Sequence, residues 1–310
     1  MAEALYQRDI YGKTLIELGT QDPSIVVLDA DLSSSTRTGW FAREFPERFF
    51  NFGVAEQNMM ATASGLASCG KKVFATTFAM FATGRAWDQV RNSVAYNNFD
   101  VKIVATHAGI TVGPDGASHQ AIEDICLMRA IPNMKIIVPC DAPQTADAVR
   151  AAAAQKGPFY VRLGRTKVPT VEGKGAFVFG KGQLLADGDD AAIIACGIMV
   201  NEALIAAQNL SRKGVRCRVI NMHTIRPFDS QIVIDAARQT KGIVVCEEHS
   251  AIGGLASCVE DVLCESHPAP MRKVAVKERY GQSGEPDELM KEYGLTPHDI
   301  EKAVVSLLSR

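Results

Sequence analysis

The chain has 310 residues, of which 47% are hydrophobic and 22% charged, so it is long enough to form two globular domains. A net charge of −2 gives no electrostatic footprint for nucleic acid or an anionic membrane, and no apolar run approaches the roughly 20 residues of a membrane span. The N-terminus lacks the regions of a signal peptide, so we expect a cytoplasmic protein that binds neither nucleic acid nor membrane. Eight cysteines in apolar surroundings, without a Cys-x-x-Cys, predict buried reduced thiols and no zinc site.

The chain begins with a predicted helix over residues 9–18, which Asp22-Pro23 ends. The apolar run 25–28 predicts a short buried strand, and the polar segment 29–35 follows at its carboxyl end. Loops at that end of a strand bind ligands in α/β proteins. A capping or turn role for the Asp and Ser residues of this segment is an equal alternative.

Glu56 opens a run of small, helix-compatible residues and is flanked by Phe52, Val54 and Met59. Desolvation among these apolar side chains holds a carboxylic acid ready for proton exchange, while the helix amides favour its anion. A site of this kind suits acid–base chemistry. The alternative is a first-turn acid that only complements the helix dipole.

Two aromatic residues, Phe78 and Phe81, follow a predicted strand over residues 71–77. A helical turn projects residues three apart onto one side, so both rings are expected on the same face. Two rings beside a carboxylate can hold a flat heteroaromatic group, although ordinary core packing of both is an equal alternative.

The remainder of this half alternates between predicted helices and strands. A regular helix is expected over 82–94, and a polar loop over 106–120 follows a strand at 101–105. The other elements are strands at 135–138 and 159–161 and helices near 122–129 and 145–154. Strict alternation with Val/Ile-rich strands predicts a mostly parallel sheet covered on both faces.

Residues 169–187 are rich in Gly, show little periodicity and are predicted to link two domains, 1–168 and 188–310. Beyond them the alternation restarts. Strands are expected at 191–195, 215–220, 242–246 and 272–276, with helices near 201–213, 230–240, 253–264 and 297–308. The predicted fold class is therefore α/β, with two domains that each have a mostly parallel sheet flanked by helices.

The second domain has few convergent polar groups. Glu247, Glu248 and His249, together with Gly253-Gly254, are a possible ligand site at a helix N-terminus. A helix cap with close packing is the favoured interpretation, because such caps are common.

Four segments of the first domain resemble transketolase, in the order and spacing of its pyrimidine-binding domain. They are Ala30-Asp31-Leu32, Val54-Ala55-Glu56, Thr77-Phe78-Ala79-Met80-Phe81 and Gly113-Pro114-Asp115-Gly116-Ala117-Ser118-His119-Gln120. The second domain resembles the transketolase C-terminal domain, so the resemblance covers essentially the whole chain. These motifs are specific to thiamine-diphosphate enzymes, and they separate transketolase from its relatives less well.

The resemblance implies thiamine diphosphate as cofactor, yet one part of its site is missing. Such enzymes hold the diphosphate through Mg²⁺ or Ca²⁺, usually bound by an Asp and an Asn of a Gly-Asp-Gly motif. No Gly-Asp-Gly occurs in the sequence, and Asp187-Gly188-Asp189-Asp190 predicts a turn. The chain thus resembles the C-terminal subunit of a split transketolase. Its N-terminal partner subunit is expected to hold the metal and the diphosphate, in an α2β2 assembly, and this chain alone is expected to be inactive.

The resemblance also implies the roles of the cofactor-binding residues. Glu56 is expected to hydrogen-bond a ring nitrogen of the aminopyrimidine and to be catalytic. Phe78 and Phe81 are expected to stack on that ring, and Val54 and Asp31 match residues that touch the cofactor.

Substrate-binding positions are assigned in the same way, for sugar phosphates. Asp115 and His119 match the pair that reads sugar hydroxyls, and His119 is also expected to be catalytic. The positions that match phosphate binding are His107, Ser35, Arg165 and Arg8. Arginine suits this role because its fork donates bidentately to phosphate. Arg162 is the alternative to Arg165, and surface solvation is the alternative for Arg8.

Two departures from the family pattern bear on specificity. Gly84 stands where transketolases often have a third aromatic residue, and Ala108 stands where they often have Asp. The first thins the cofactor pocket and the second alters the wall facing the substrate, so a branched or sulfonated sugar is an open alternative to a pentose phosphate.

The leading function is a subunit of a transketolase that transfers a two-carbon ketol unit between sugar phosphates. A first alternative is a subunit of a decarboxylating relative, either 1-deoxyxylulose-5-phosphate synthase-like or the β subunit of a 2-oxo-acid dehydrogenase. The phosphate-binding set argues against the dehydrogenase, because a simple oxo acid has no phosphate. A second alternative is a non-catalytic partner, which Glu56, Asp115 and His119 argue against.

Overall fold

The computed structural model describes residues 3–173 and 175–309; Lys174, inside the predicted link, lies outside the described residues. The strands are numbered along the chain as follows: β1 (Ala4–Tyr6), β2 (Ile25–Asp29), β3 (Phe49–Asn51), β4 (Lys72–Thr76), β5 (Val101–Ala105), β6 (Lys135–Ile137), β7 (Phe159–Arg162), β8 (Lys167–Pro169), β9 (Gln183–Ala186), β10 (Ala191–Ala195), β11 (Cys217–Asn221), β12 (Thr224–Arg226), β13 (Ile243–Ser250) and β14 (Met271–Val276).

The helices of the described residues alternate with these strands. They are α1 (Gln7–Gln21), α2 (Ser33–Thr36), α3 (Thr38–Glu44), α4 (Glu56–Ser68), α5 (Asp124–Arg129), α6 (Ala142–Ala154), α7 (Met199–Ser211), α8 (Ser230–Gln239), α9 (Leu255–Glu265), α10 (Pro286–Glu292) and α11 (Pro297–Leu308). Short 3₁₀ segments cover Pro46–Arg48 and Ile110–Asp115. None of the described helices combines the length and the apolar character that crossing a bilayer requires.

Two larger sheets organise the chain. The first has seven strands in the order β12-β6-β7-β5-β4-β2-β3, and the second has five in the order β14-β13-β10-β11-β9. All neighbours are parallel except β12 against β6 and β9 against β11, which lie at sheet edges. The prediction of an α/β fold with two mostly parallel sheets is confirmed. Strand β12 comes from the second half of the chain yet extends the first sheet, so the two halves share backbone hydrogen bonds.

The alternation of side chains along a strand explains how helices cover both faces of the first sheet. In β2, Val26 and Leu28 face a core that includes Met59 and Met60 of α4. Their neighbours on the strand face the opposite core, with α1 and α6. Successive side chains of a strand point to opposite faces, and a strand buried on both is apolar throughout.

The chain after Phe81 differs from its prediction. It forms wider π-helical turns over Phe81–Arg85 and Gln89–Ala95, where a regular helix was expected. Apolar residues three to four apart fit both kinds of turn, so the spacing does not separate them. Helix α6 also begins three residues before its prediction, because the Asp141 carboxylate caps it by accepting the Gln144 N–H at 2.8 Å.

The prediction of buried cysteine thiols needs correction. Cys69 and Cys264 are exposed and Cys126 is half-buried, so the prediction of buried thiols is wrong for these three. Cys69 follows the last turn of α4 and Cys264 lies in the last turn of α9, where a helix end faces solvent. Strand β8 ends at the first residue of the predicted link, and β9 lies within the last part of that link. Strand β8 pairs with β1 as a separate antiparallel ribbon.

The carboxyl ends of β2, β4, β5 and β7 lie at one edge of the first sheet. The segments that follow these strands are therefore neighbours. An isolated bridge between Phe78 and Thr106 joins the segment after β4 to the segment after β5. This edge gathers most of the residues that the sequence proposed as functional.

Candidate functional site

Glu56 is the first residue of α4 and is only 2% exposed. Both carboxylate oxygens accept hydrogen bonds from one nitrogen, Nη1 of Arg85, at 3.0 and 2.9 Å. The Arg85 side chain is 46% exposed. A buried acid is thus held by a cation that reaches it from the surface.

Arg85 is a site residue that the sequence analysis missed. Its guanidinium carbon lies 4.4 Å from the centre of the Phe81 ring, within the range of a cation–π contact. The Gln57 side chain donates to the Arg85 carbonyl at 3.2 Å, which fixes the backbone of the π-helical turn. The sequence could have indicated it, because Arg85 lies four positions after Phe81 and residues at this spacing share one face of a helix.

The two phenylalanines lie on the same side, as predicted, but in different surroundings. Their rings are nearly parallel, with centroids 6.3 Å apart and 16° between the planes. Phe78 is 6% exposed and stacks on the imidazole of His107 at 3.8 Å. The ring of His119 meets Phe81 edge-on at 5.2 Å. Phe81 therefore lies between the Arg85 guanidinium and His119, and Phe78 packs deeper.

These residues fit a flat heteroaromatic group. The site offers a buried carboxylate, which accepts hydrogen bonds, near the face of an aromatic ring. The flat guanidinium of Arg85, which carries N–H donors, already contacts both. An aminopyrimidine that carries a proton on its ring nitrogen is flat in the same way and can donate an N–H to the same carboxylate. Gly84 is exposed, and the nearest heavy atom to a Cβ added there is Met80 Sδ at 3.7 Å, so the absence of a side chain leaves this wall thin.

A second cluster consists of arginine side chains around His107. Arg8 Nη1 lies 3.4 Å from His107 Nε2. Burial, followed by the charges of Arg8 and Arg165, lowers the pKa of His107 to about 3, so the ring is neutral at physiological pH. The buried Nε of Arg8 has no hydrogen-bond partner within the described part of the chain. An orphaned donor beside further cationic groups suits an anionic ligand.

Arg165 and Arg162 have different roles. Arg165 donates to the carbonyl of Val112 and, at 3.3 Å, to the carboxylate of Asp115, so it stays at the edge of the site. Arg162 is 6% exposed and pairs with buried Asp124 at 2.7 Å. Arg162 is therefore structural, and Arg165 is the arginine that can reach a ligand.

In the loop after β2, one acid has the predicted turn role and another is exposed, as a ligand-binding residue would be. Asp29 is buried and accepts hydrogen bonds from the Leu32 N–H and from the hydroxyls of Thr36 and Thr38, so it is a turn residue. Burial raises its pKa. Asp31 is exposed at φ 61°, and its N–H donates to Asn51 at 3.1 Å.

The remaining predicted positions lie around this loop. The Asn51 side chain also accepts the Gly53 N–H at 3.0 Å, which places Val54 near Asp31. Val54 is 72% exposed, an unusual state for valine. Ser35 is half-buried in the short helix α2.

Arg37 is a second residue that the sequence analysis missed. It follows α2 and donates to Asp9 at 2.7 Å. Burial, followed by the charge of Arg37, lowers the pKa of Arg8, and Arg37 also contributes, as the smallest cause, to the lowered pKa of His107. No motif contains it. Its proximity to Arg8 arises because α1 and the loop after β2 meet at this sheet edge.

Ala108 is 1% exposed and belongs to the main core, where it bridges to Ala121. The prediction that it lines the wall facing the substrate is wrong. The chain turns inward after His107, whose φ is 58°, and residue 108 then lies in the core.

The acidic pair Glu247 and Glu248, in the last half of β13, serves capping and packing, as favoured from the sequence. Glu247 accepts the N–H groups of Leu255 and Ala256 at 2.7 and 2.9 Å and so caps α9. A Cβ at Gly254 would lie 2.0 Å from a Glu247 oxygen, which explains the glycine. Glu248 accepts the Thr111 N–H at 2.7 Å and ties the second domain to the loop that carries Asp115.

Among residues 3–173 and 175–309, no three His, Cys, Asp or Glu side chains are placed to hold a metal ion. The expectation that a partner subunit holds the metal stays a prediction.

The fold defines a protein that joins two α/β domains, each built on a mostly parallel sheet. The family model described as "Transketolase, pyrimidine binding domain" matches residues 3–170, and that described as "Transketolase, C-terminal domain" matches residues 180–300. The chain belongs to the transketolase family. Its resemblance to the C-terminal subunit of a split transketolase is confirmed by a solved structure titled "Split gene transketolase, inactive beta4 tetramer". That chain is 50% identical with a TM-score of 0.91, and the match covers 98% of this chain and 99% of that one.

Two further relatives show the range of the family. The 6-deoxy-6-sulfo-D-fructose transketolase subunit of Clostridium sp. (strain MSTE9) is 40% identical over 309 residues, covering 99% of this chain and 96% of that protein. The transketolase of Homo sapiens is 33% identical over 315 residues, covering 100% of this chain but 50% of that protein. This chain thus matches a whole subunit in one relative and half of a longer chain in the other.

Proposed function

We propose that this chain is a subunit of a thiamine-diphosphate-dependent transketolase that transfers a two-carbon ketol unit between sugar phosphates. The observation that carries the proposal is Glu56, buried beside the Phe81 ring and already bound by a flat N–H donor, Arg85. When bound, the cofactor supplies the electron sink that ketol transfer requires, and the protein supplies binding, orientation and proton control.

Each residue near Glu56 has a physical role in this proposal. The Glu56 carboxyl group exchanges a proton with a ring nitrogen, and its 2% exposure keeps water away from that proton. Phe81 offers a ring on which the aminopyrimidine can stack. Phe78 lies nearly parallel to Phe81 and is itself stacked on the imidazole of His107. His119 lies edge-on to Phe81, and we assign it the binding of a substrate hydroxyl and the role of the second catalytic group.

The substrate end is assigned to the cationic cluster. Arg8, with its orphaned Nε, neutral His107 and Arg165 form the phosphate site, with Ser35 on the neighbouring helix α2. Asp115 and His119 bind sugar hydroxyls. The same hydrogen-bond donors can bind a sulfonate, because phosphate and sulfonate groups both present several equivalent oxygens. The Clostridium relative is named for a sulfonated sugar. The cluster favours a sugar phosphate or sulfonate over an unsubstituted oxo acid.

The proposal includes an N-terminal partner subunit, arranged with this chain as α2β2. This chain aligns with half of the human transketolase, and a structure 50% identical to it is titled an inactive β4 tetramer. The partner supplies the diphosphate-binding domain and its Mg²⁺ or Ca²⁺. We therefore expect no turnover from this chain alone.

The test is reconstitution of this chain with the partner subunit. The assembled enzyme is assayed with xylulose 5-phosphate and ribose 5-phosphate, with 6-deoxy-6-sulfofructose as donor, and with pyruvate. Ketol transfer from a phosphorylated or sulfonated sugar is the expected result. Decarboxylation of pyruvate in its place would support the decarboxylating alternative, and turnover by this chain without a partner would refute the split site.

A Glu56→Gln variant of the assembled enzyme tests the acid. Glutamine keeps the shape and one acceptor but carries no exchangeable acid proton, so kcat should fall by about 10²- to 10⁴-fold, the usual contribution of a general acid–base group. Glu17→Gln is a matched control, because Glu17 also pairs with an arginine, Arg150 at 2.7 Å, but on the exposed side of α1. An unchanged rate in Glu56→Gln would return Glu56 to the role of a helix-start acid.

A further inference from the structure

Arg85 makes two contacts at once in the free chain. Its Nη1 donates to both oxygens of Glu56, and its guanidinium carbon lies 4.4 Å from the centre of the Phe81 ring. A flat group that carries N–H donors therefore stacks on the ring and hydrogen-bonds the acid. These are the two contacts that the proposed function assigns to the aminopyrimidine.

We propose that Arg85 is an internal occupant of the aminopyrimidine site, and that the cofactor ring must displace it from Glu56 and Phe81. This inference rests on the proposed function of the site. It adds a residue that limits how readily the subunit accepts its cofactor.

The surroundings make the two occupants mutually exclusive. Phe78 has one face stacked on His107 and is 6% exposed, so it offers no second platform. Glu56 is 2% exposed, and both of its oxygens are already engaged by Arg85. A ring that stacks on Phe81 and reaches Glu56 enters the space that the guanidinium fills.

Arg85 can leave this site without unfolding the turn that carries it. Its side chain is 46% exposed and ends a π-helical segment, a rare geometry that is frequent at functional sites. Its carbonyl is held separately by Gln57 at 3.2 Å. Gly84 before it is exposed, so a released guanidinium has solvent beside it. Displacement therefore needs side-chain rotation only.

The consequence is a lowered apparent affinity for the cofactor. A ligand can bind only while the site is open. The apparent Kd is therefore the Kd of the open site divided by the fraction of molecules in which the site is open. A half-exposed ion pair contributes little, so removal of Arg85 should tighten binding of the cofactor by about 5-fold. The same factor should apply to thiamine, which lacks the diphosphate, because only the ring end of the site changes.

The experiment is calorimetric titration of the assembled complex with thiamine diphosphate and, separately, with thiamine, without any sugar. Arg85→Ala and the nearly isosteric, neutral Arg85→Gln should both tighten binding of each ligand. Raising the salt concentration should narrow the difference from wild type, because salt screens the competing ion pair.

Arg91→Ala is the matched control. Arg91 lies in the next π-helical segment, donates to Asn92 at 2.5 Å and packs over Trp87, so its removal deletes the same charge without touching Glu56. Its binding constants should equal those of wild type. Two variants at position 85 keep the test valid if one of them fails to fold.

Equal or weaker binding by folded Arg85 variants would overturn the inference. Weaker binding would mean that Arg85 holds the cofactor instead of competing with it. If wild-type complex binds the cofactor normally and only the predicted gain is missing, the proposed function stands and this inference alone fails. If wild-type complex binds no thiamine diphosphate, both fail.

Discussion

Acidification should destabilise the chain through His107, whose side chain is buried beside two arginines. His107 is 3% exposed, and burial, followed by the charges of Arg8 and Arg165, lowers its pKa from 6.5 to about 3. The unfolded chain therefore binds the proton more readily than the folded chain. Stability from this group is complete above pH 6.5 and is lost as the pH falls from 6.5 toward 3. At pH 5 the loss is about 2 kcal/mol, from about 1.5 pH units at about 1.36 kcal/mol each.

The assay is urea unfolding of the isolated chain at pH 7.5 and at pH 5. Wild type and His107→Gln are compared. The free energy of unfolding should decrease from pH 7.5 to pH 5 by about 2 kcal/mol less in the variant than in wild type. Buried His223, whose pKa burial lowers to about 4, contributes equally to both chains and cancels. His298→Gln, at an exposed position, should behave as wild type. An equal decrease in wild type and His107→Gln would refute the reasoning.

Two other substitutions test the support of the site and its anion-binding end. Asp124→Ala removes the buried carboxylate that accepts from Arg162 at 2.7 Å and from the Tyr160 hydroxyl at 2.6 Å. Because an uncompensated buried cation then remains, the free energy of unfolding should fall by about 3–5 kcal/mol. Urea unfolding measures this, and a loss below about 1 kcal/mol would show that the pair is solvated, as exposed pairs are. Arg165→Gln in the assembled enzyme should raise KM for a phosphorylated sugar by about 10-fold or more with kcat little changed, as expected for one charged hydrogen bond. An equal KM increase for the unphosphorylated sugar would contradict the phosphate role of Arg165.

The buried pair of Asp124 and Arg162 also explains how the second domain supports the first. Arg162 donates to the carbonyl of Glu248 at 2.9 Å, and the Glu248 side chain accepts the N–H of Thr111. Opposing influences set the pKa of Asp124, since burial alone raises it while Arg162 and His249 bring it below its usual value. The second domain thus contributes to the site by fixing the loop that carries Asp115 and His119.

The sequence was informative where a pattern is local. Apolar runs such as Val101–Ala105 and Ala191–Ala195 predicted buried strands, because a strand covered on both faces needs no polar residues. The capping role of Glu247 was favoured correctly for a similar reason, since a helix N-terminus has unsatisfied N–H groups that an acid can accept. Edge strands such as Thr224–Arg226 were missed because three residues carry no periodicity.

By itself, the sequence determined the family, the two α/β domains and the grouping of Glu56, Phe78, Phe81 and His119, because strand order and motif order fix which loops share a sheet edge. Only the tertiary structure decided which groups those residues contact. The ion pair between Glu56 and Arg85 joins residues 29 positions apart, and it depends on how α4 packs against a π-helical turn. Likewise, the inward turn at His107 buries Ala108 in the core. Such contacts arise from packing at a distance along the chain, which no local pattern of residue types records.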